Sequence, residues 1–240
     1  MAVRPAFFPL LGVAGVDDTR TFEFTWSPGL SFAQKQRNVR ALHMSIEKNF
    51  PSCRILEVSS KSTESLGVSL SAFNLSFPTD RGEMSVETAF QASKVFEKEG
   101  PFSELYGKDP RAVRDYVRAL NAGKLIGFEI DGERWELYPT RAFYDWVYIR
   151  ALSRNPCLAA KVCEYDCFTD IEFNPRKSLN CQAYAVALYL SFRATNVLDE
   201  ALESRSAFLR YHPQDVVIVG SGTNPHVGSV ADQLTFDLFG

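Results

Sequence analysis

Residues 85–96 read Ser85-Val86-Glu87-Thr88-Ala89-Phe90-Gln91-Ala92-Ser93-Lys94-Val95-Phe96, and this segment carries more information about the fold than any other. An α-helix turns by about 100° per residue, so it places Glu87, Gln91 and Lys94 within roughly 60° of one another. The segment therefore predicts a short helix with an acid, an amide and an amine on one side. The same spacing is also typical of a solvated helix face, on which opposite charges give mild support.

The composition predicts a folded domain with a substantial core. Of 240 residues, 45% are hydrophobic and 13% are aromatic, which is not the composition of a disordered chain. Lys and Arg total 26 against 29 Asp and Glu, which gives a net charge of −3. This balance gives no support to a protein that coats nucleic acid or lies on an acidic membrane surface, although a local basic groove stays compatible with it.

The chain has no apolar run of about 18 residues or more, and its first residues do not form a secretory signal. Its five cysteines form no C-x-x-C pair, and the odd count argues against a disulfide framework. The three histidines are far from the cysteines in sequence, so the ligand spacings of a zinc site are missing. We therefore expect a soluble cytoplasmic protein with no membrane partner, no metal and no cofactor.

Capping and turn signals predict the elements of the N-terminal half. Ser31-x-x-Gln34 is a capping box that opens a helix to about Asn49. Residues 54–59 are predicted to form a buried strand, and residues 66–77 a second extended stretch rich in Leu, Val and Phe.

Helices are predicted to dominate the rest of the chain. Asp109-Pro110 opens a helix over residues 110–122, and Asp131-Gly132 predicts a hairpin within residues 124–137. Further helices are predicted at residues 140–153, from residue 156, at 178–195 and at 199–210. The whole is predicted to be one α+β domain, mostly helical, with a small β-sheet.

The pattern S-x-E-x-x-F-Q-A-x-K over residues 85–94 resembles the signature of the NADAR (YbiA-like) family, where it opens a helix that lines a pocket for ADP-ribose or a sugar phosphate. Thr88 stands where many members carry His, so a mechanism that needs this His is not available here. Ser71-Ala72-Phe73-Asn74 resembles the segment that precedes the signature in the family. Cys167-Phe168-Thr169-Asp170 and Asn180 resemble its later motifs.

The resemblance extends to the subgroup paired with DarT-type toxins, which attach ADP-ribose to guanine in DNA. It is carried by residues 56–62, 70–75, 142–146 and 168–175 and spans roughly residues 5–211. It implies a NADAR-like hydrolase domain over residues 1–211, in which residues 1–50 are an N-terminal extension with a helix. Residues 212–240 are expected to be a tail that supplies an edge strand or stays partly mobile.

The function that the resemblance implies is that of an antitoxin glycohydrolase, which removes ADP-ribose from guanine bases of DNA and so repairs the damage of the toxin. Its expected partners are ADP-ribosylated single-stranded DNA in transient contact, ADP-ribose as the product, and a DarT-type toxin as the functional pair. The resemblance implies three catalytic residues, Glu87, Lys94 and Asp170. It implies eight ADP-ribose-binding residues: Ser60, Lys61, Phe73, Asn74, Phe90, Gln91, Tyr144 and Asn180.

The chemistry of these side chains suits the cleavage of a bond between a sugar and a nitrogen. A partly buried Glu87 can move the proton that the leaving nitrogen needs, as carboxylates do in glycoside chemistry. A desolvated, neutral Lys94 can attack the opened sugar and form an imine. Asp170 can hold ribose hydroxyls or stabilise the cationic sugar, but an aspartate at this position is also typical of a simple turn cap.

Two other classes of function fit the same residues. One is an N-glycosidase on small phosphorylated metabolites, such as riboflavin-pathway intermediates. The other is a non-catalytic protein, either an ADP-ribose-binding module or an antitoxin that blocks its toxin by contact. The pairing of an acid and an amine favours catalysis, because a module that only binds ADP-ribose has little use for both.

Overall fold

The computed structural model describes residues 1–12, 17–80 and 82–213. The strands are β1 (Ala2–Pro9), β2 (Asp17–Phe24), β3 (Ile55–Glu57), β4 (Ser76–Thr79), β5 (Gly82–Ser85), β6 (Lys94–Phe96), β7 (Leu125–Ile130), β8 (Glu133–Trp135) and β9 (Cys167–Thr169). The helices are α1 (Phe32–Glu47), α2 (Ser65–Ser69), α3 (Val86–Ala92), α4 (Pro110–Ala119), α5 (Ala142–Ser153), α6 (Pro156–Val162), α7 (Gln182–Ala194), α8 (Leu198–Glu203) and α9 (Arg205–Tyr211). The α+β class and the helical majority are as predicted. The predicted edge strand of the tail falls on residues 214–240, which lie outside the described part.

The main sheet has the strand order β2-β1-β9-β3. Strand β3 pairs with β9 in parallel, with Leu56 opposite Phe168 and Glu57 opposite Thr169, whereas the other pairs are antiparallel. Because parallel strands end at the same edge of a sheet, the segments that follow Glu57 and Thr169 emerge side by side. Two smaller sheets, β4-β5 and β6-β7-β8, complete the strands of the described residues.

Strands β1 and β2 are absent from the sequence-based prediction, which gave residues 1–50 a helix only. Helix α1 is present with its capping box, in which the Ser31 side chain accepts from the Gln34 backbone amide. Strand β1 lies inside the main sheet although it contains Pro5, a residue that normally argues against an interior strand. Its pairing with β9 is confined to Ala6 and Phe7, so the missing N–H of Pro5 removes no bond of that ladder.

The prediction of a second extended stretch over residues 66–77 is wrong for most of its length. Residues 65–69 form helix α2, and only from Ser76 does the chain become a strand. A Cβ atom on Gly67 would overlap the carbonyl oxygen of Glu57, so the lack of a side chain lets α2 lie directly on the end of β3. This close contact, which no local pattern indicates, selects the helix over the strand.

The C-terminal helices are present with different bounds. The helix predicted from residue 178 begins at Gln182, and the helix predicted over 199–210 is broken at Ser204. Ser204 has extended backbone angles and its side chain accepts from the Ala207 amide, which starts α9 anew. The Asp109 cap of α4 and the hairpin around Asp131-Gly132 are confirmed.

Helix α3, which carries the signature pattern, lies inside the protein. Every residue of α3 is buried, and the helix packs against α4 and α5. Helix α7 is buried over almost its whole length and packs on β1 and β9. The solvated helix face that periodicity allowed is therefore absent, and the polar residues of α3 lie inside the protein. None of the described helices is both long and apolar enough to cross a membrane.

Replacement of Gly67 tests the contact between α2 and β3. Gly67→Ala is expected to lower the free energy of unfolding by about 1–3 kcal/mol, because the added methyl group meets backbone that cannot move aside cheaply. Chemical denaturation of wild type and variant measures the effect. Gly12→Ala is the matched control, since a Cβ there meets nothing within 4 Å. Equal stabilities of the two variants would contradict the close packing.

Candidate active site

A cavity of about 420 Å³ opens where the edge of the main sheet meets α3, α5 and the start of α7. Nine of the eleven residues predicted from the sequence line it: Ser60, Lys61, Phe73, Glu87, Phe90, Gln91, Tyr144, Asp170 and Asn180. Asn74 and Lys94 are not in its wall. A larger cleft of about 1020 Å³ lies near Phe77 and Arg150 but contains none of the predicted residues. We therefore take the smaller cavity as the candidate site.

Glu87 lies on the first turn of α3, which begins after the Ser85 cap. Its side chain is only 9% exposed, and Gln91 Nε2 donates to Glu87 Oε1 at 3.1 Å. Burial raises the pKa of Glu87, while the Gln91 hydrogen bond and the charges of Lys94, Arg114 and Arg118 oppose the rise. A carboxyl with a raised pKa holds its proton closer to neutral pH, as a general acid must.

Gln91 presents a second feature to the cavity. Its Nε2 is committed to Glu87, whereas its Oε1 is buried and accepts no hydrogen bond from the residues that the structure describes. A buried acceptor without a donor is costly, so such an atom is suited to a ligand that brings its own donor.

Lys94 does not lie on the helix, where the sequence predicted it. Helix α3 ends at Ala92, and Lys94 is the first residue of β6. The side chain is fully buried, with Nζ 5.1 Å from the ring centroid of Phe90, so it lies behind that ring and outside the cavity wall. Burial lowers the pKa of Lys94 to about 7 although the Glu87 carboxylate opposes the shift. The amine is thus partly neutral near pH 7.

Asp170 follows β9 and combines the two roles considered for it. Its Oδ1 accepts from the backbone amides of Glu172 at 3.0 Å and Phe173 at 3.2 Å, which is a turn cap. Its Oδ2 accepts from Gln182 Nε2 at 3.0 Å, and the carboxylate lines the cavity at 4% exposure. Burial raises the pKa of Asp170, and these three hydrogen bonds limit the rise.

Glu57 is a buried acid below the cavity that the sequence analysis did not single out. Its Oε1 accepts from Ser59 Oγ at 2.6 Å and from the Ile171 amide at 2.8 Å, and its Oε2 accepts from Thr169 Oγ1 at 2.7 Å. The carboxylate therefore ties the segment after β3 to the segment after β9. Burial raises the pKa of Glu57, and the nearby Asp170 adds to the rise. An acid inside an otherwise apolar strand was the sequence signal that could have revealed it.

His43 extends this network from α1. Its Nε2 lies 2.9 Å from Thr169 Oγ1, and burial lowers the pKa of His43 to about 4. Because the Thr169 hydroxyl donates to Glu57, the neutral His43 ring must donate through Nε2. The chain from His43 to Glu57 is thus a set of directed hydrogen bonds under the cavity floor.

The aromatic residues divide between the cavity and the core. Phe90 and Tyr144 meet edge to face with ring centroids 5.3 Å apart, and both line the cavity. Phe73 lines it as well and is half-buried. Trp146 instead packs against Trp135 in the core, at 5.1 Å between ring centroids, so it offers no stacking surface to a ligand.

The remaining predicted residues fall in different places. Asn74 is exposed and its Nδ2 donates to the Val68 carbonyl at 2.8 Å, so it holds the turn after α2 and does not reach the cavity. Ser60, Lys61 and Asn180 lie in the cavity wall. Among the described residues, no group of three His, Cys, Asp or Glu side chains is arranged to hold a metal ion.

Thr88 holds neighbouring parts of the chain together and does not face the cavity. It is fully buried, accepts from Ser85 Oγ at 3.1 Å and donates to the Lys108 carbonyl at 3.2 Å. It therefore ties α3 to the chain that enters α4 and does not line the cavity.

The lowered pKa of Lys94 gives a test that does not depend on activity. The folded chain releases this proton near pH 7 and the unfolded chain near the ordinary value of 10.5, so the unfolded chain binds more protons between these values. Stability is then expected to rise with pH across this window. Relative to Lys94→Met, which has no such proton, wild type should gain roughly 2 kcal/mol of unfolding free energy between about pH 7 and 9. Denaturation at several pH values measures it, and parallel curves would show that Lys94 keeps its ordinary pKa.

Comparison with known proteins identifies the family of the chain. The family model of the DarT1-associated NADAR antitoxins matches residues 2–217, which is most of the chain. A search of curated proteins finds no match. The matched span contains α3, Glu57, Asp170 and the whole cavity wall. Because the model matches most of the chain, the chain belongs to the family of DarT1-associated NADAR antitoxins.

Proposed function

We propose that this antitoxin is a glycohydrolase that removes ADP-ribose from the guanine bases of DNA. The observation that carries the proposal is the buried Glu87, a carboxyl with a raised pKa at the wall of a cavity of about 420 Å³. Membership in a family of antitoxins associated with DarT1 supports this substrate over a small metabolite. A cavity of that size falls in the range of ordinary small-molecule sites and suits a dinucleotide-like sugar phosphate.

The reaction breaks the bond between the anomeric carbon of ADP-ribose and the exocyclic nitrogen of guanine. Glu87 delivers a proton to that nitrogen, which takes the electron pair of the breaking bond and leaves as the amino group of guanine. The sugar carbon becomes electron-poor, and the Asp170 carboxylate stabilises its positive charge. Water adds its oxygen to this carbon and returns a proton to Glu87, so the products are free ADP-ribose and unmodified DNA.

The neighbours of Glu87 support its role as the acid. Gln91 fixes one carboxyl oxygen, which leaves the other to face the substrate. The fixed position removes part of the cost of orienting the proton donor. Burial raises the pKa of the Tyr144 hydroxyl well above its usual value, and the charges of Glu87 and Asp170 add to this rise. The hydroxyl therefore stays protonated and can donate a hydrogen bond to a ribose oxygen.

Lys94 offers a covalent variant of the same reaction. When the ribose ring opens, its ring oxygen leaves the anomeric carbon as a hydroxyl, and this carbon forms an imine with the guanine nitrogen. The neutral Lys94 amine adds to the carbon, and the guanine nitrogen takes a proton from Glu87 and leaves with the electron pair of its bond, so that a lysine imine remains. Water hydrolyses the lysine imine to ADP-ribose and regenerates the amine. The pKa near 7 supplies the neutral amine. Since Nζ lies behind Phe90, this route requires the Phe90 ring to move aside.

Loss of Glu87 tests the proposed hydrolysis. Glu87→Gln keeps the size of the side chain but removes the proton, so release of ADP-ribose from a guanine-modified single-stranded oligonucleotide should fall by about 10²–10⁴-fold. Chromatographic measurement of released ADP-ribose gives the rate. Glu104→Gln, at an exposed position outside the cavity, should keep the wild-type rate. No release by wild type, together with tight binding of ADP-ribose, would favour a non-catalytic module.

A trapping experiment separates the two roles of Lys94. With borohydride, wild type should form a stable adduct with the sugar, and Lys94→Ala should form none, because the reductant fixes an imine at that nitrogen. Mass spectrometry of the digested protein locates the adduct. On the covalent route, Lys94→Arg should be inactive, because it keeps the charge but not the nucleophile. An active Lys94→Arg without an adduct would restrict Lys94 to a charged neighbour of Glu87.

A further inference from the structure

Helix α4 carries three arginines on one face. Arg111, Arg114 and Arg118 follow the spacing i, i+3, i+7, which aligns side chains along a helix. The buried side of the same helix is formed by Val113 and Val117. The three arginines, which we name the arginine face, therefore point away from the contact of α4 with the core.

The arginine face borders the candidate active site. Arg111 and Arg114 line the cavity, and their guanidinium carbons lie 5.9 Å and 5.3 Å from the ring centroid of Phe73. Arg118 does not line the cavity, but it continues the row of Arg111 and Arg114 along α4, and its charge acts on Glu87 in the cavity wall. The half-buried Phe73 ring therefore lies beside the guanidinium groups of Arg111 and Arg114 at the entrance of the cavity.

We propose that the arginine face and Phe73 form a track for single-stranded DNA, which holds the phosphates beside the modified base and stacks a neighbouring base on the Phe73 ring. The inference rests on the proposed function in that it names how the DNA part of the substrate is held. Proteins that bind single strands combine a cationic groove with aromatic platforms in this way.

The dimensions favour a strand over the pyrophosphate of ADP-ribose. Seven residues separate Arg111 from Arg118, so the arginine face extends for about 10 Å along α4. That length exceeds one pyrophosphate and suits successive phosphates of an extended strand. The pyrophosphate has separate candidates, Ser60 and Lys61, which line the cavity from the end of β3.

Acidic neighbours leave the arginine face positive. Asp115 pairs with Arg114 at 2.9 Å, but the aspartate side chain is 63% exposed. An exposed pair of this kind contributes little and opens easily for a phosphate. Lys177 is exposed at the same cavity and adds a cation from the segment before α7. Glu172 also lines the cavity, but it pairs with Lys35 at 2.8 Å. Cations thus outnumber acids among the exposed residues of the entrance, in a chain whose net charge is −3.

The test measures binding of an unmodified, fluorescent single-stranded oligonucleotide by anisotropy over a series of salt concentrations. Wild type should bind with an affinity that falls steeply with salt. Arg111→Ala and Arg118→Ala should each weaken binding and reduce the slope of log K against log salt by about 0.7, the value for one phosphate contact on a single strand. Phe73→Leu should weaken binding about tenfold without changing the slope, because stacking involves no counterion.

Arg210→Ala is the matched control, since Arg210 is an exposed arginine that pairs with Glu200 on a helix outside the cavity. It should bind as wild type does. Wild-type slopes in Arg111→Ala and Arg118→Ala would overturn the proposal. So would an equal loss of affinity for free ADP-ribose, which would assign these arginines to the pyrophosphate.

Two further results separate the possible explanations. Weaker binding of purified toxin by the arginine variants, with unchanged DNA binding, would overturn the track in favour of a protein-docking surface. Strand binding that depends on the arginine face, in a protein that never releases ADP-ribose, would support the track and refute the hydrolase. The binding assay uses unmodified DNA, so it does not depend on the reaction.

Discussion

The parallel pairing of β3 with β9, secured by the buried Glu57 carboxylate, is the constraint on which the site depends. Glu57 accepts hydrogen bonds from Ser59, Thr169 and Ile171, so one side chain holds both segments that leave this edge of the sheet. The segment after β3 supplies Ser60 and Lys61 to the cavity, and the segment after β9 supplies Asp170. Without this tie, the two walls of the cavity would have only backbone pairing to hold them in register.

Burial determines the chemistry that this arrangement supports. Glu87, Asp170 and Glu57 all have raised pKa values, and in each the largest cause is the loss of water. The same loss lowers the pKa of Lys94. Acids and an amine whose pKa values move toward one another share protons readily near neutral pH, as acid–base catalysis requires. A solvated helix with the same residues would keep a charged carboxylate and a charged ammonium, and neither would transfer a proton efficiently.

The sequence predicted correctly those features that depend only on residues close together in the chain. The Ser31 capping box, the Asp109 cap and the Asp131-Gly132 hairpin are local, and they are confirmed. The signature pattern placed Glu87, Phe90 and Gln91 in the cavity wall, because these residues lie on one helix. The other predicted residues of the wall lie on separate segments and followed only from the resemblance of those segments to the family.

The sequence-based predictions were wrong or incomplete where contacts between distant parts of the chain determine the structure. Gly67 lets helix α2 lie on the end of β3, and Pro5 is tolerated in β1 because the pairing with β9 covers only Ala6 and Phe7. Lys94 was expected on the helix because the pattern continues for one more turn, but pairing with β7 draws it into a strand. Glu57 stood out locally only as an acid in an apolar strand, because two of its three hydrogen-bond donors, Thr169 and Ile171, reach it only when β3 pairs with β9.

Thr88 shows how one buried hydroxyl fixes two helices beside the cavity. Its hydroxyl connects Ser85 to the Lys108 carbonyl, which fixes the approach of α4 to α3. That approach in turn positions Arg111 and Arg114 at the cavity entrance. The positive charge of these arginines lies on the rim, whereas the buried acids Glu87 and Asp170 lie deeper in the cavity wall. A cationic rim attracts anions, while burial keeps the acids below it away from water. The net charge of −3 conceals this local separation, because it sums the charges of the whole chain.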